Sequence, residues 1–207
     1  VRVSDRFLKN KSKLILIPYD SIGRRDFEQA FAEESELFLT DTGVYGLPLA
    51  LDPLILYYNR DLLSAAGEAK PVSYWDEIYP LTLKLTKKDA AGNLTQSAIA
   101  LGETRNIPNF KEILSLLLLQ AGTPVTNTVN ANLRSALGDS FGLPVAPGAA
   151  ALDFYTQFAN PAKSYYSWNR VLPSAETHFA GGASAYYLGF ASELTALRNK
   201  NPNLNLG

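Results

Sequence analysis

The chain has 207 residues, 46% of them hydrophobic, and its 19 Lys and Arg nearly cancel 20 Asp and Glu to leave a net charge of -1. That apolar content suffices for one core, or one full domain and part of a second, while the balanced charge carries no electrostatic footprint for nucleic acid. Cysteine is absent, which removes disulfides, thiol nucleophiles and most structural zinc sites and leaves the redox compartment open.

The start, Val1-Arg2-Val3-Ser4, lacks the apolar core of a signal peptide, and no methionine occurs even at residue 1, so the chain is expected to begin inside a longer protein. Residues 13–17 read as a short buried strand ending at Pro18, followed by a helix over 26–38 with Phe27, Ala30, Phe31 and Phe38 at apolar positions. Residues 44–58 are nearly continuously apolar but punctuated by Gly46-Leu47-Pro48 and Asp52-Pro53, which predicts two strands joined by a crossover, since proline cannot donate within a central strand. Ser73 opens a helix running to about Lys87, with the serine accepting from a free N–H in a capping box. A polar turn over 89–93 leads to a buried strand over 97–101 and a central helix over 107–120 that Gly122 ends. Its apolar run at 113–119, broken by Ser115, is too short to span a bilayer. Residues 123–147, rich in Asn, Gly and Pro, are expected to cross the surface; helices follow over 149–158, 175–179 and 192–199, with a strand at 184–188. Alternating strands and helices imply a mainly parallel sheet covered on both faces.

The stretch Tyr45-Gly46-Leu47-Pro48-Leu49-Ala50-Leu51-Asp52-Pro53-Leu54-Ile55-Leu56-Tyr57-Tyr58-Asn59-Arg60-Asp61-Leu62 resembles the signature of family 1 extracellular solute-binding proteins, the receptors of sugar-type ABC importers. Ser73-Tyr74-Trp75-Asp76-Glu77-Ile78 is similar to that family's Thr-Trp-Asp-Glu helix start, and Leu85-Thr86-Lys87-Lys88-Asp89 and Gln120-Ala121-Gly122 follow at suitable spacing. Phe179-Ala180-Gly181-Gly182-Ala183-Ser184-Ala185-Tyr186 resembles the pattern Phe-x-x-Gly-Lys-Ala-Ala-Met, with Ala183 and Tyr186 at the Lys and Met positions. The ordered series covers roughly residues 40–207 and is more specific than any single motif. The resemblance implies an α/β, periplasmic-binding-protein-like fold of two lobes that close over a solute. Residues 1–49 would belong to the first lobe, 50–52 to a hinge crossing and 53–207 to the second lobe, with the return strand and much of lobe one lying outside the chain.

Asp52 lies between two apolar strands, where a carboxylate is costly unless it is hydrogen-bonded or faces a cleft. A carboxylate offers about four lone-pair directions and accepts two hydroxyls at once; the resemblance implies a ligand contact, and the alternative is a strand-end residue steadied by Pro53. Arg105 and Asn106 follow a strand's carboxyl end, where open α/β sheets bind ligands, unless Asn106 caps the next helix while Glu103 and Arg105 stay in solvent. Gly189, Phe190 and Ser192 also follow a buried strand, so their N–H groups and the Ser192 hydroxyl are candidates to face a ligand; the commoner use of such a serine is as an N-cap. Trp168 sits in the aromatic cluster 165–169, whose faces suit sugar rings or packing of loop on core, and Trp75 is read as core.

His178, the only histidine, is expected on a helix surface, with no serine and acid setting for a triad and no histidine metal cluster. The adjacent acids Glu33-Glu34 and Asp76-Glu77 point to different sides of a helix and do not converge as glycosidase carboxylates. Asn93-Leu94-Thr95 matches the glycosylation sequon, a short and common pattern. The expected protein is therefore a non-catalytic receptor without cofactor or metal, monomeric, binding a sugar or related polar solute and partnering ABC permease subunits. Its expected location is the extracellular face of the membrane or the periplasm, lipid-anchored through a segment outside this chain. The alternative is a surface interaction or sensor protein that retains the fold without transport.

Overall fold

The computed structural model describes residues 10–129 and 132–207. Two compact units divide between Leu51 and Asp52. In the first, β1 (Ile17–Pro18) pairs antiparallel with β2 (Gly43–Val44), Ile17 opposite Val44 and Pro18 opposite Gly43. The pair is close: a Cβ on Gly43 would collide with the Ile17 carbonyl oxygen. The strand expected over 13–17 shrinks to these two residues because Lys11–Lys13 form a 3-10 turn and Ile15 is 88% exposed, leaving no face to bury. The helix expected over 26–38 splits as well. α1 (Arg24–Ala30) buries only Phe27 and ends at Phe31, which is extended. A 3-10 turn then spans Glu33–Phe38, where the Ser35 hydroxyl donates back to the Ala32 carbonyl and so favours a local turn over a continuous helix.

The second unit is built on a four-stranded sheet. β3 (Leu54–Tyr58) leads into Asn59, whose side chain accepts from the N–H groups of Asp61 (3.0 Å) and Leu62 (3.2 Å) and starts α2 (Arg60–Ala65). A 3-10 turn (Trp75–Glu77) precedes α3 (Ile78–Leu85). Here Glu77, not Ser73, supplies the cap: its carboxylate returns to the N–H groups of Ser73 (2.7 Å) and Tyr74 (3.1 Å). β4 (Lys87–Lys88) and β5 (Leu94–Ile99) form a hairpin across the turn that Asp89 organises by accepting from Ala91 and Asn93.

α4 (Phe110–Gln120) is stopped by Gly122 at φ +85°, a conformation that costs glycine nothing. It buries Ile113, Leu117 and Leu118, whereas Leu119 is 60% exposed, so the helix expected to be central covers one face and leaves another to solvent. Within the segment expected to wander over the surface, β6 (Thr126–Val129) and β7 (Asn132–Ser135) pair antiparallel. The remaining elements are α5 (Pro147–Gln157), α6 (Ala175–Ala180), β8 (Ser184–Phe190), a 3-10 turn at Ala191–Glu193 and α7 (Leu194–Lys200).

The sheet order is β3-β8-β5-β4. Only β5 and β8 run parallel, whereas β3 pairs antiparallel with β8 and β4 with β5. The mainly parallel sheet expected from alternation is thus replaced by a mixed one: β4 reaches β5 by a tight turn, and β3 opens the unit from the opposite end. β8 lies at the centre and is buried at every residue from Ser184 to Gly189, which is why it reads as an unbroken apolar run. Around it, Tyr186, Ile99, Leu101, Phe158, Trp168 and Phe179 are at most 1% exposed, and burial of side chains of this size stabilises the fold by about 1.5–3 kcal/mol each. Beside β3, Tyr58 and Gly207 exchange backbone hydrogen bonds of 3.0 and 2.9 Å. Among the described residues no helix is long and apolar enough to cross a membrane.

Candidate functional site

Because β5 and β8 are parallel neighbours and β3 runs against β8, the carboxyl ends of β5 and β8 and the amino end of β3 lie along one edge of the sheet. Leu54 faces Phe190 across that edge. Asp52 precedes β3, residues 190–193 follow β8, and Glu103, Arg105 and Asn106 follow β5. Three of the sequence-derived candidate regions therefore share the edge at which open α/β sheets take ligands.

Asp52 is exposed and bound to Ser192 twice: Oδ1 accepts from Ser192 N at 2.8 Å and Oδ2 from Ser192 Oγ at 2.7 Å. Ala191 N donates to Pro53 O at 2.9 Å, and Tyr57 OH donates to Phe190 O at 2.8 Å. The N–H groups of Phe190, Ala191 and Ser192 are all consumed within the unit, so this turn is not the open set of donors that its sequence suggested. The anion at the start of the 3-10 turn is Asp52 itself. Gly189 is buried, and its role is to leave space, since a Cβ there would collide with Tyr187 Cε1.

The loop after β5 is held from below. Gly102 adopts φ +92° with Ala159 packed against it, and Tyr155 OH donates to Glu103 O at 2.6 Å, burial pushing that phenol well above its ordinary range. Asn106 is a tie rather than a helix cap: α4 begins at Phe110, and the Asn106 amide donates to the carbonyls of Asn169 and Leu172, both at 2.9 Å. Its Oδ1 accepts from Trp168 Nε1 at 3.0 Å. Trp168 is 0% exposed, its ring edge-on to His178 at 5.3 Å, so it offers no face to a sugar. The neighbouring Tyr165 packs on Tyr79 at 4.6 Å. Arg105 remains exposed above this scaffold. The structure thus leaves Asp52, Ser192 and Arg105 at the surface and turns Asn106, Trp168 and Gly189 into supports beneath them, with Phe190 half-buried.

Glu103, read as solvated, forms an ion pair with Arg170 at 3.2 Å, which adds a guanidinium to the rim of this loop. His178 is not on a surface. It is 8% exposed, with Nε2 3.3 Å from Ser97 Oγ, because α6 turns this side toward β5 and Trp168. Burial lowers its pKa. Sequence reasoning also passed over Glu193, Tyr187 and Asn109. Only Glu193 carried a signal, an acid at the third position after Phe190 at a helix start.

A sequence profile of the bacterial extracellular solute-binding protein family matches residues 19–207, and the chain belongs to that family. Its fold is that of solved binding proteins. A cyclo/maltodextrin-binding protein in complex with maltotetraose superposes with a TM-score of 0.69 at 15% identity, covering 98% of this chain and 47% of that one. UgpB of Mycobacterium tuberculosis, bound to glycerophosphocholine, gives 0.68 at 17% identity over 97% and 46%. A Thermotoga lettingae ABC-transporter solute-binding protein, bound to α-D-tagatose, gives 0.64 at 21% over 95% and 47%. The chain therefore spans about half the length of these proteins. Proteins of Brucella abortus and Brucella suis, each described only as a binding protein, are 37% identical over 65 residues, 30% of this chain and 15% of theirs.

Proposed function

We propose that the chain forms the solute-contacting second lobe, with part of the first, of an ABC importer's receptor, and that its solute is a sugar or related polyhydroxylated molecule. One observation carries this reading: at the sheet edge formed by the amino end of β3 and the carboxyl ends of β5 and β8, Asp52 is exposed while each of its oxygens takes one bond from Ser192. About two of its four lone-pair directions stay available for solute hydroxyls, and the Arg105 guanidinium, exposed on the adjacent loop, supplies complementary donors. The ligands named for the three similar structures, maltotetraose, α-D-tagatose and glycerophosphocholine, share vicinal hydroxyls, the group that two free carboxylate lone pairs accept from.

The mechanism is binding without chemistry. Solute contacts made from both lobes favour a hinge-closed state over an open one, and the permease engages the closed form. The receptor works as a monomer at the outer face of the membrane or in the periplasm, held by a lipid anchor. The test is a thermal-shift screen of the complete protein against maltotetraose, D-tagatose, glycerophosphocholine and a panel of other sugars. A ligand at a hundred times its Kd adds about 2.7 kcal/mol of stability. Asp52→Ala, with folding verified by circular dichroism, is expected to weaken binding about ten- to a hundredfold, the worth of hydrogen bonds to a charged acceptor. No shift with any member of the panel rejects the carbohydrate assignment, and unchanged affinity in Asp52→Ala removes that residue from the site.

A further inference from the structure

Across residues 190–192 three successive backbone N–H groups are taken by three different acceptors. Phe190 N donates to Glu193 Oε1 at 2.9 Å, Ala191 N to Pro53 O at 2.9 Å and Ser192 N to Asp52 Oδ1 at 2.8 Å. Pro53 and Asp52 lie immediately before β3, the strand that enters the sheet at this edge. Glu193 is different, because its carboxylate is itself gripped from the core. Oε1 also accepts from Asn109 Nδ2 at 3.0 Å, and Oε2 accepts from the Tyr187 hydroxyl.

Both donors are buried and held by neighbours of their own. Asn109 is 6% exposed and ties the start of α4 to β8 through Leu188 O at 3.4 Å. Tyr187 is 2% exposed and stacked between Tyr57 (6.0 Å between centroids, 17° between planes) and Phe179 (5.5 Å, 26°). Burial, and then Glu193, push the Tyr187 phenol far above its ordinary range, so it stays a donor at physiological pH. Gly189 is what admits the pair, since a Cβ there would collide with Tyr187 Cε1 and stand 3.0 Å from Glu193 Oε2.

An acid at this position of a helix start ordinarily reaches back to one N–H from solvent. Here that acid is locked to β8 and α4, so the position of the turn is dictated by the core instead of by a flexible side chain. We propose that Glu193 is a positioning residue of the solute-facing wall: held by Tyr187 and Asn109, it fixes the 190–192 turn so that Ser192 meets both oxygens of Asp52 and pre-orients that carboxylate for solute. This rests on the reading of Asp52 as a solute contact. Pre-organisation of this kind improves affinity by removing an ordering cost that binding would otherwise bear.

The experiment is residue-resolved amide hydrogen exchange, by NMR, on the complete protein without ligand, for wild type, Glu193→Ala, Glu193→Gln and Tyr187→Phe. Glu193→Ala is expected to accelerate exchange of the Phe190 and Ser192 amides at least tenfold, while Ile99 in β5 and Leu117 in α4 keep their rates. Glu193→Gln retains an acceptor for Phe190 N–H and restores most of the protection; Tyr187→Phe loses an intermediate amount. Unchanged rates at Phe190 and Ser192, or equal acceleration at Ile99 and Leu117, overturn the proposal. Calorimetric titration with maltotetraose and D-tagatose separates it from the reading on which it rests. Binding by wild type that weakens at least tenfold in Glu193→Ala and recovers in Glu193→Gln supports both, and binding indifferent to Glu193 overturns the positioning role. No binding by wild type beside the local exchange change rejects the sugar assignment and leaves the turn-fixing part of the proposal standing.

Discussion

Replacement of Asn106 by alanine separates scaffold from ligand contact most cleanly. The amide donates to two backbone carbonyls at 2.9 Å and accepts from the indole N–H of Trp168 at 3.0 Å. In the Asn106→Ala variant the Trp168 N–H, on a ring that is 0% exposed, has no acceptor and carries a desolvation penalty of about 1–3 kcal/mol. The carbonyls of Asn169 and Leu172 are only partly buried and can turn to water, so each lost bond adds about 0.5–1 kcal/mol. The sum, about 2–5 kcal/mol, is a large part of the stability of a domain this size. It is read from urea unfolding followed by circular dichroism, with linear extrapolation to water. Trp168→Phe removes the orphaned donor, so Asn106→Ala combined with Trp168→Phe should be less destabilising than the sum of the singles by about 1–3 kcal/mol. A loss below about 0.5 kcal/mol in Asn106→Ala, accompanied by weaker solute binding, would show the asparagine facing ligand and refute the scaffold assignment.

His178 makes stability depend on pH. Burial lowers its folded pKa, so the unfolded imidazole, titrating near 6.5, takes up its proton first as the solution is acidified. Its contribution is complete above about pH 6.5 and is lost as pH falls from there toward the folded value. The urea midpoint should therefore drop more between pH 7.5 and 5.5 in the wild type than in His178→Gln, and parallel curves would reject this. Gly102→Ala is expected to cost about 2–5 kcal/mol, since it combines φ +92° with a Cβ 2.7 Å from Ala159 Cβ and 2.8 Å from Ala159 N. Gly92→Ala, at φ +84° with nothing within 4 Å, should cost only the conformational part, about 1–2 kcal/mol. Equal midpoints for the two variants would show that the crowding at Gly102 relaxes freely.

The chain order of motifs, the α/β class and the family were legible in the sequence because each depends on local properties. A glycine ends α4 at Gly122, an uninterrupted apolar run marks the central strand β8, and Asp52-Pro53 breaks the apolar stretch before β3. Strand direction was not legible. Alternation of strands and helices suggested parallel pairing, but the direction of β3 depends on the edge at which the chain enters, a long-range property that no local pattern encodes. Side-chain roles divided along the same line. Asp52 and Ser192 stood out by position and meet at the sheet edge. Asn106 and Trp168 carried the right chemistry in the right loops, yet they bond to one another beneath the surface. A polar or aromatic side chain can satisfy itself with ligand or with protein, and only the packing of β5, α5 and the loop before α6 selects the second. Tyr187 and Glu193 are six residues apart, but Asn109 comes from 84 residues away, so the contact that joins all three exists only once the start of α4 meets the end of β8. The sequence by itself thus determined the family and the candidate residues, and the tertiary structure alone decided which of them stand exposed at the sheet edge and which hold that edge in place.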